Sequence, residues 1–457
     1  MGAGDRWDGR PVVVAGAAVA GAAAARALLR RGAVVTVVDR RTSAGLEELA
    51  AEGATVVVAD APPAGLFDGV RDLVVSPGFA PHHPLVTAAL AAGLEVYSEP
   101  ELAWRLRGPQ APPWLAVTGT NGKTTTVTML AAILRAAGLR SAAVGNIGTP
   151  LVDLPAAGED GYDVLAVELS SQQLHWSRRL APPVGVILNL APDHLEWHGD
   201  FDAYVTAKTA IWRAGAVVGN LDDPLVAKLL PAGGTGFTLR RPRPGEFGVA
   251  DGVLVDAVGE QPVSLVDAAA IRPAGEHDVA NALAAAALAR WYGVPAGAVA
   301  AGLAGYQPEP HRNAPVATID QVTWVDDSKA TNPHAARASL SAYPRVVWVA
   351  GGQLKGVDVS DLVRQVAGRL AGVVLLGVDR DRFAEALARH APRVPVVEVA
   401  STDDGAMGEV VRAAAALAAP GDTVLLAPAA ASRDMFSGYA ARGEAFAAAV
   451  RARGAGR

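Results

Sequence analysis

The run Thr118-Gly119-Thr120-Asn121-Gly122-Lys123-Thr124-Thr125-Thr126 follows an apolar strand expected over 115–117 and precedes a helix expected over 127–137. Consecutive backbone N–H groups and a helix N-terminus in such a loop can wrap the phosphates of ATP. Lys123 supplies a cation for the β- and γ-phosphates, and Thr124 a hydroxyl for Mg²⁺. The first glycine stands three residues before Gly122, not five as in the usual pattern. Strand, glycine-rich loop, Lys-Thr and helix together still point to phosphate binding. Glu168 ends the next apolar strand, 163–167, where it can hold Mg²⁺ or position water. A capping or surface carboxylate is the alternative, less attractive because polar groups continue through Gln173.

His194 and His198 stand four apart, a spacing that suits a zinc pair on a helix. No third ligand is near in sequence, and Pro192 points to a loop. One functional histidine, His194, is expected, with His198 structural or exposed. Lysines carry a second signal. Of 40 basic residues only five are lysine: Lys123, Lys208, Lys228, Lys329 and Lys355. A lysine kept in so arginine-rich a chain marks a place where arginine cannot substitute. Lys208 lies in a helical stretch, 204–212, where a lone lysine ordinarily snorkels to the surface; its scarcity argues for function. Lys329 lies in the strand-end loop 326–333 and Lys355 in the loop 351–356. With 428–436 these make three polar strand-end loops on one sheet, which should face one crevice. Lys228 reads as a surface residue. His277 and Asn281 open an Ala-rich helix and suit nucleotide contact, or a helix cap and core edge.

The elements that must position these groups alternate between short apolar strands and Ala-rich helices, which implies mostly parallel sheets. The apolar stretch 11–29 could be a signal peptide or membrane span. A strand at 11–15, a turn at 16–21, a helix at 22–31 and a second strand at 33–38 fit better as a βαβ start. Gly16 and Gly21 resemble part of a dinucleotide fingerprint, but Ala18 replaces its middle glycine. Asp39 sits where a ribose-binding acid would lie, and Ser76 follows another strand. A ligand-free βαβ unit explains these residues equally well. Proline-rich linkers at 108–113 and 308–315 divide the chain into 1–109, 110–309 and 310–457. The expected fold is α/β in three domains: Rossmann-like, a central P-loop ATPase-like parallel sheet, and Rossmann-like again. The chain has 457 residues, 51% hydrophobic and 19% charged, with net charge −6. It is too apolar for disorder and shows no basic field for nucleic acid. It has no cysteine, which excludes disulfides, thiolate catalysis and Cys-ligated metals.

Taken in order, the motifs resemble the Mur ligase family, in its D-glutamate-adding branch. They are GTNGKTTT at 119–126, GNIGTP at 145–150, VELSSQQL at 167–174, PDHLEWH at 192–198, DDSKATNPHA at 326–335, GGQLKG at 351–356 and PAAASRDMF at 428–436. The resemblance spans essentially the whole chain. It implies ATP-dependent amide ligation of D-glutamate to UDP-N-acetylmuramoyl-L-alanine through an acyl phosphate, in cytoplasmic peptidoglycan precursor synthesis. It implies Mg²⁺ at two sites, no nucleic-acid partner, no membrane insertion, and a monomer is expected.

By resemblance, Gly119, Thr120, Asn121, Gly122, Lys123, Thr124, Thr125, Asn281, His311, Arg312 and Asp327 bind ATP. Thr124, Glu168, His194 and Lys208 hold metal, with Lys208 carrying a carbamate. Lys123, His194, Lys208 and Lys329 are the catalytic set. Asp39, Arg41, Ser76, Asn146, Ser170 and Gln173 face the UDP substrate. Thr331, Lys355, Ser432 and Tyr439 bind D-glutamate. The chain departs from the family pattern at Ala18, Gln172, Asp278, Ala430 and Tyr439. A folylpolyglutamate-type ligase and a non-catalytic relative are the competing readings; the loop 327–332 opposes the first, and retention of Lys123, Glu168, His194 and Lys208 opposes the second.

Overall fold

A computed structural model describes residues 7–155, 161–213, 215–273, 275–308, 310–402 and 405–455. The expected boundary at 309/310 touches Glu309, and the expected outer domains begin and end at 1–6 and 456–457; these lie outside the described residues. By contact the chain falls into two units. One holds residues 1–270 and 280–305, the other 271–279 and 306–457.

The first unit contains two sheets. Strands β1 (Pro11–Ala15), β2 (Val34–Asp39), β3 (Thr55–Val58), β4 (Asp72–Val75) and β5 (Glu95–Ser98) pair in parallel in the order β3-β2-β1-β4-β5. Helices cover such sheets, so the inner strands become continuous apolar runs, as Val12–Ala15 and Leu73–Val75 are. Strand order reverses between β1 and β4, which opens a crevice beyond their C-terminal ends. The first helix starts at Val19, inside the expected turn. Gly21 therefore sits within the helix. It must be glycine there, because a Cβ would strike the Gly16 carbonyl.

The second sheet comprises β6 (Trp114–Thr118), β7 (Ser141–Gly145), β8 (Val164–Glu168), β9 (Val184–Ile187), β10 (Ala216–Asn220), β11 (Thr235–Phe237), β12 (Glu246–Ala250), β13 (Val253–Asp256) and β14 (Val263–Asp267). Its order is β14-β13-β12-β11-β10-β9-β6-β8-β7. Only β12-β13-β14 is antiparallel. The helix after β6 begins at Lys123, four residues earlier than expected, because left-handed Gly122 (φ 84°) caps it. The helix Glu276–Trp291 is buried continuously from Ala282 to Ala289.

A buried acidic pair joins the two sheets of this unit. Glu101 accepts from the backbone N–H groups of Arg178 (3.0 Å), Arg179 (2.9 Å) and Leu180 (2.8 Å) and from Arg105 Nε (3.0 Å). Glu99 accepts from Val152 N at 2.8 Å, and burial pushes its carboxyl up to about 7.

The second unit is built on β15 (Ala314–Ile319), β16 (Val322–Asp326), β17 (Val346–Gly351), β18 (Leu370–Leu376), β19 (Val396–Glu398) and β20 (Thr423–Leu426). The order is β15-β16-β20-β17-β18-β19, parallel except for the β15-β16 hairpin. Among the described residues no helix is long and apolar enough to cross a membrane.

Candidate functional site

In the first unit the glycine-rich loop leaves the C-terminal end of β6. Thr120 Oγ1 pairs with Tyr204 Oη at 2.8 Å and also accepts from Ala191 N at 2.9 Å, and Asn121 N donates to Asn189 Oδ1 at 2.8 Å. The loop is thus fixed from the β9 side. Lys123 Nζ turns back onto the carbonyls of Gly119 and Thr120, each at 2.9 Å. Gly122 is left-handed (φ 84°), a conformation that strains any side chain, and a Cβ there would also push on Asn281 Oδ1. Thr126 Oγ1 donates to the same oxygen at 3.3 Å.

Thr124 Oγ1 donates to Glu168 Oε2 at 2.7 Å, and Asn146 Nδ2 to Glu168 Oε1 at 2.9 Å. Glu168 is 2% exposed. A buried carboxylate beside a hydroxyl offers the hard oxygen donors that Mg²⁺ requires. Lys208, 1% exposed, donates from Nζ to the Gly119 carbonyl (2.8 Å) and Thr118 Oγ1 (3.3 Å). Burial, reinforced by Lys123, holds its amine well below the ordinary lysine range, against Asp193 and Glu168. An ammonium repels a cation; a neutral amine here can accept CO₂ and become an oxygen ligand, which suits the expected carbamate.

His194 is more open to solvent than that cluster. Its side chain is 46% exposed, its backbone is left-handed (φ 53°), and Nε2 lies 3.6 Å from Asp193 Oδ2. Among the described residues no three His, Cys, Asp or Glu side chains gather as a ready metal site. His198 is buried. Its Nε2 pairs with Ser171 Oγ at 3.0 Å, and it packs among Trp197, Tyr204 and His175. Burial, aided by repulsion from His175, His194 and Lys208, pulls it down to about 4.

The residues expected to face the UDP substrate divide into two groups. Asp39 Oδ2 accepts from Ala17 N at 2.8 Å and so shapes the loop after β1. Buried Ser76 stands over that loop after β4, its Oγ without a hydrogen-bond partner, and Arg41 is exposed. Ser170 and Gln173 first serve the short helix Ser171–His175. Ser170 Oγ accepts from Gln173 N and Gln173 Oε1 from Ser170 N, a reciprocal capping box.

In the second unit His311 Nδ1 meets Asp326 Oδ2 at 2.6 Å. Asp327 is buried, accepts from Asn313 N (3.2 Å) and Ser339 Oγ, and is raised to about 6 by burial. Lys329 Nζ sits 3.9 Å from the centre of the Tyr439 ring, a cation–π contact. The loops bearing Lys355 and Ser432 are clasped by reciprocal backbone bonds between Gln353 and Ala431 (2.8 and 2.9 Å). Lys355 is exposed and left-handed, Thr331 and Arg312 are half-buried, and Ser432 is buried.

Three family models match: the Mur ligase MurD-like N-terminal domain over 10–98, the Mur ligase middle domain over 117–289, and the Mur ligase glutamate ligase domain over 311–430. The chain is 55% identical to UDP-N-acetylmuramoylalanine--D-glutamate ligase of Thermobifida fusca, covering 97% of this chain and 98% of the relative. The chain belongs to the Mur ligase family. The enzyme of the same name from Streptomyces avermitilis is 53% identical over 98% of this chain and 99% of its own. Among solved structures, a pseudomurein peptide ligase type C from Methanothermus fervidus superposes with a TM-score of 0.59 at 21% identity, covering 91% and 96% of the two chains. UDP-N-acetylmuramate-alanine ligase MurC from Thermotoga maritima gives 0.58 at 17%, covering 98% and 100%. At such identities these structures show the fold.

Within this Mur ligase, sequence reasoning missed three groups that hold the site. Tyr204 anchors Thr120, Glu101 joins the two sheets of the first unit, and Arg442 is buried in the second. Tyr204 was within reach, lying four residues before the singled-out Lys208; Glu101 and Arg442 carry no motif.

Proposed function

We propose that this Mur ligase is an ATP-dependent amide ligase that joins D-glutamate to UDP-N-acetylmuramoyl-L-alanine, in cytoplasmic peptidoglycan precursor synthesis. The observation that carries the reading is the buried Lys208 amine against the Gly119 carbonyl, beside the Thr124–Glu168 pair. Burial holds that amine well below the ordinary lysine range, which favours the carbamate chemistry of a ligase over plain ATP hydrolysis. The identity to D-glutamate ligases along the whole chain selects the amino acid.

A carboxylate is a poor acylating agent, so the reaction must first give it a leaving group. The terminal carboxylate of UDP-N-acetylmuramoyl-L-alanine attacks the γ-phosphorus of ATP, forming an acyl phosphate and releasing ADP. Lys123 leaves its two carbonyls to neutralise the phosphate oxygens, and the backbone amides at the start of the helix Lys123–Ala136 donate to them. Thr124 and Glu168 are the groups that would hold one Mg²⁺, with His194 and carbamylated Lys208 serving a second. Bound there, Mg²⁺ would supply Lewis-acid neutralisation of the phosphate charge. The amine of D-glutamate then attacks the acyl carbon, and the tetrahedral adduct expels phosphate. Lys329 stabilises the acyl phosphate. Thr331, Lys355, Ser432 and Tyr439 orient D-glutamate, while Asn281, His311, Arg312 and Asp327 hold the nucleotide. Asp39, Arg41, Ser76, Asn146, Ser170 and Gln173 serve the UDP substrate. The protein's contribution is chiefly positioning and charge neutralisation.

Phosphate release from ATP, measured with UDP-N-acetylmuramoyl-L-alanine and each of D-glutamate, L-glutamate, L-alanine and meso-diaminopimelate, tests this reading. Turnover with D-glutamate alone is expected. Turnover with another amino acid overturns the substrate, and none in folded, ATP-binding protein overturns the activity.

A further inference from the structure

Arg442 lies in the first turn of the helix Tyr439–Ala455 and is 1% exposed. Its guanidinium spends its donors on three separate segments. Nε donates to Ser328 Oγ (3.0 Å) and Nη2 to the Ser328 carbonyl (2.9 Å). Nη1 donates to the Ala430 carbonyl (3.1 Å) and, more weakly, to that of Gly351 (3.4 Å). Ser328 Oγ in turn donates to the Tyr439 carbonyl at 2.8 Å. Ser328 precedes Lys329, Ala430 lies two residues before Ser432, and Gly351 opens the loop that carries Lys355.

Burying a guanidinium is costly unless its N–H groups are satisfied. Here they are satisfied mainly by backbone carbonyls, which fixes chain positions and not only charge. The planar fork spreads five donors over three nitrogens and so reaches three separated segments, where a lysine would offer three donors from a single atom. Gly352 yields space for the arrangement, since a Cβ there would collide with the Ala431 carbonyl and press on Nη1 at 3.3 Å.

We propose that Arg442 is a positioning residue for the amino-acid end of the ligation site, its one guanidinium setting the relative placement of the loops that carry Lys329, Lys355 and Ser432. The assignment rests on the function proposed above. It predicts a selective defect, because ATP and the UDP substrate draw on other residues as well.

The test compares wild type with Arg442→Lys and Ser328→Ala by hydrogen exchange and steady-state kinetics. In Arg442→Lys, amides in 328–332, 351–356 and 429–434 should all exchange faster while β17 and β18 stay protected. The KM for D-glutamate should rise roughly tenfold or more, with that for UDP-N-acetylmuramoyl-L-alanine within about twofold. Ser328→Ala, the milder change, should show the same selective pattern at smaller size. If Arg442→Lys fails to fold, Ser328→Ala decides alone. Faster exchange confined to the helix Tyr439–Ala455, or spread across the whole unit, overturns the proposal. So does a D-glutamate KM that stays put or rises only in step with the others. Wild type that never uses D-glutamate sinks the functional reading instead, and the exchange pattern still decides whether Arg442 ties the loops.

Discussion

The hydroxyl of Thr124 donates to Glu168 Oε2 over 2.7 Å, joining the first turn of the phosphate-loop helix to the tip of the neighbouring strand. Asn146 holds the other oxygen, so both oxygens of a buried carboxylate are held by side-chain donors of the protein. Pre-orientation of this kind removes reorganisation from the chemical step.

Glu168→Gln keeps the shape and removes the charge. It should lower kcat by about 100-fold or more and raise the Mg²⁺ concentration needed for half-maximal rate. Phosphate release across a Mg²⁺ titration checks this; a change below threefold in both quantities would remove Glu168 from the metal's surroundings.

Lys208→Arg should be nearly inactive although it preserves positive charge, because a guanidinium does not become a nucleophilic amine at neutral pH. Wild type stripped of CO₂ should lose activity and regain it with bicarbonate. ¹³C-bicarbonate should give a carbamate resonance absent from Lys208→Arg. Full activity of the arginine variant would contradict the carbamate.

Glu101→Ala strips an acceptor from three backbone N–H groups and from Arg105. Breaking such a buried set costs roughly 3–5 kcal/mol. Unfolding of the first unit in urea should shift to lower denaturant, with the second unit's transition unmoved. Glu101→Gln should fall between.

His198 gives a pH signature. Its folded-state value of about 4 lies below the ordinary 6.5, so the folded chain binds fewer protons between those values than the unfolded chain. Its contribution is complete above about 6.5 and is lost as pH falls toward 4. His198→Phe should flatten that part of the stability curve, a difference on the order of 1–3 kcal/mol. Glu99, whose raised carboxyl acts in the opposite sense, is common to both proteins and cancels in the comparison. Parallel curves for the two proteins would refute the assignment.

Much of this architecture is legible in the residues. Apolar runs located β1, β2, β6 and β8 to within a residue or so, because buried parallel strands need no alternation. Glycine, lysine and threonine together marked the loop that the structure places at the end of β6, and the rarity of lysine singled out Lys208, which is buried. Helix starts were less legible. Gly122 looks like any loop glycine until its left-handed geometry caps the helix, and Gly21 reads as a turn although it packs inside one. Ser170 and Gln173 carry a capping pattern that reads equally well as a polar ligand edge. Arg442 is hidden among 35 arginines, and its importance lies in which carbonyls surround it. Glu101 likewise acts on a segment 77 residues away, a relation that no local pattern encodes.

The helix Glu276–Trp291 has no solvent-facing stripe between Ala282 and Ala289. An ordinary surface helix accepts substitutions on its outer side, which gives its mutational record a period near 3.6 residues. This segment has no such side. Almost any enlargement meets packed neighbours, so intolerance should run unbroken along eight consecutive positions. Deep mutational scanning of this chain would therefore record a plateau where a wave is customary, and that plateau would begin beside Asn281, the residue pressed against Gly122.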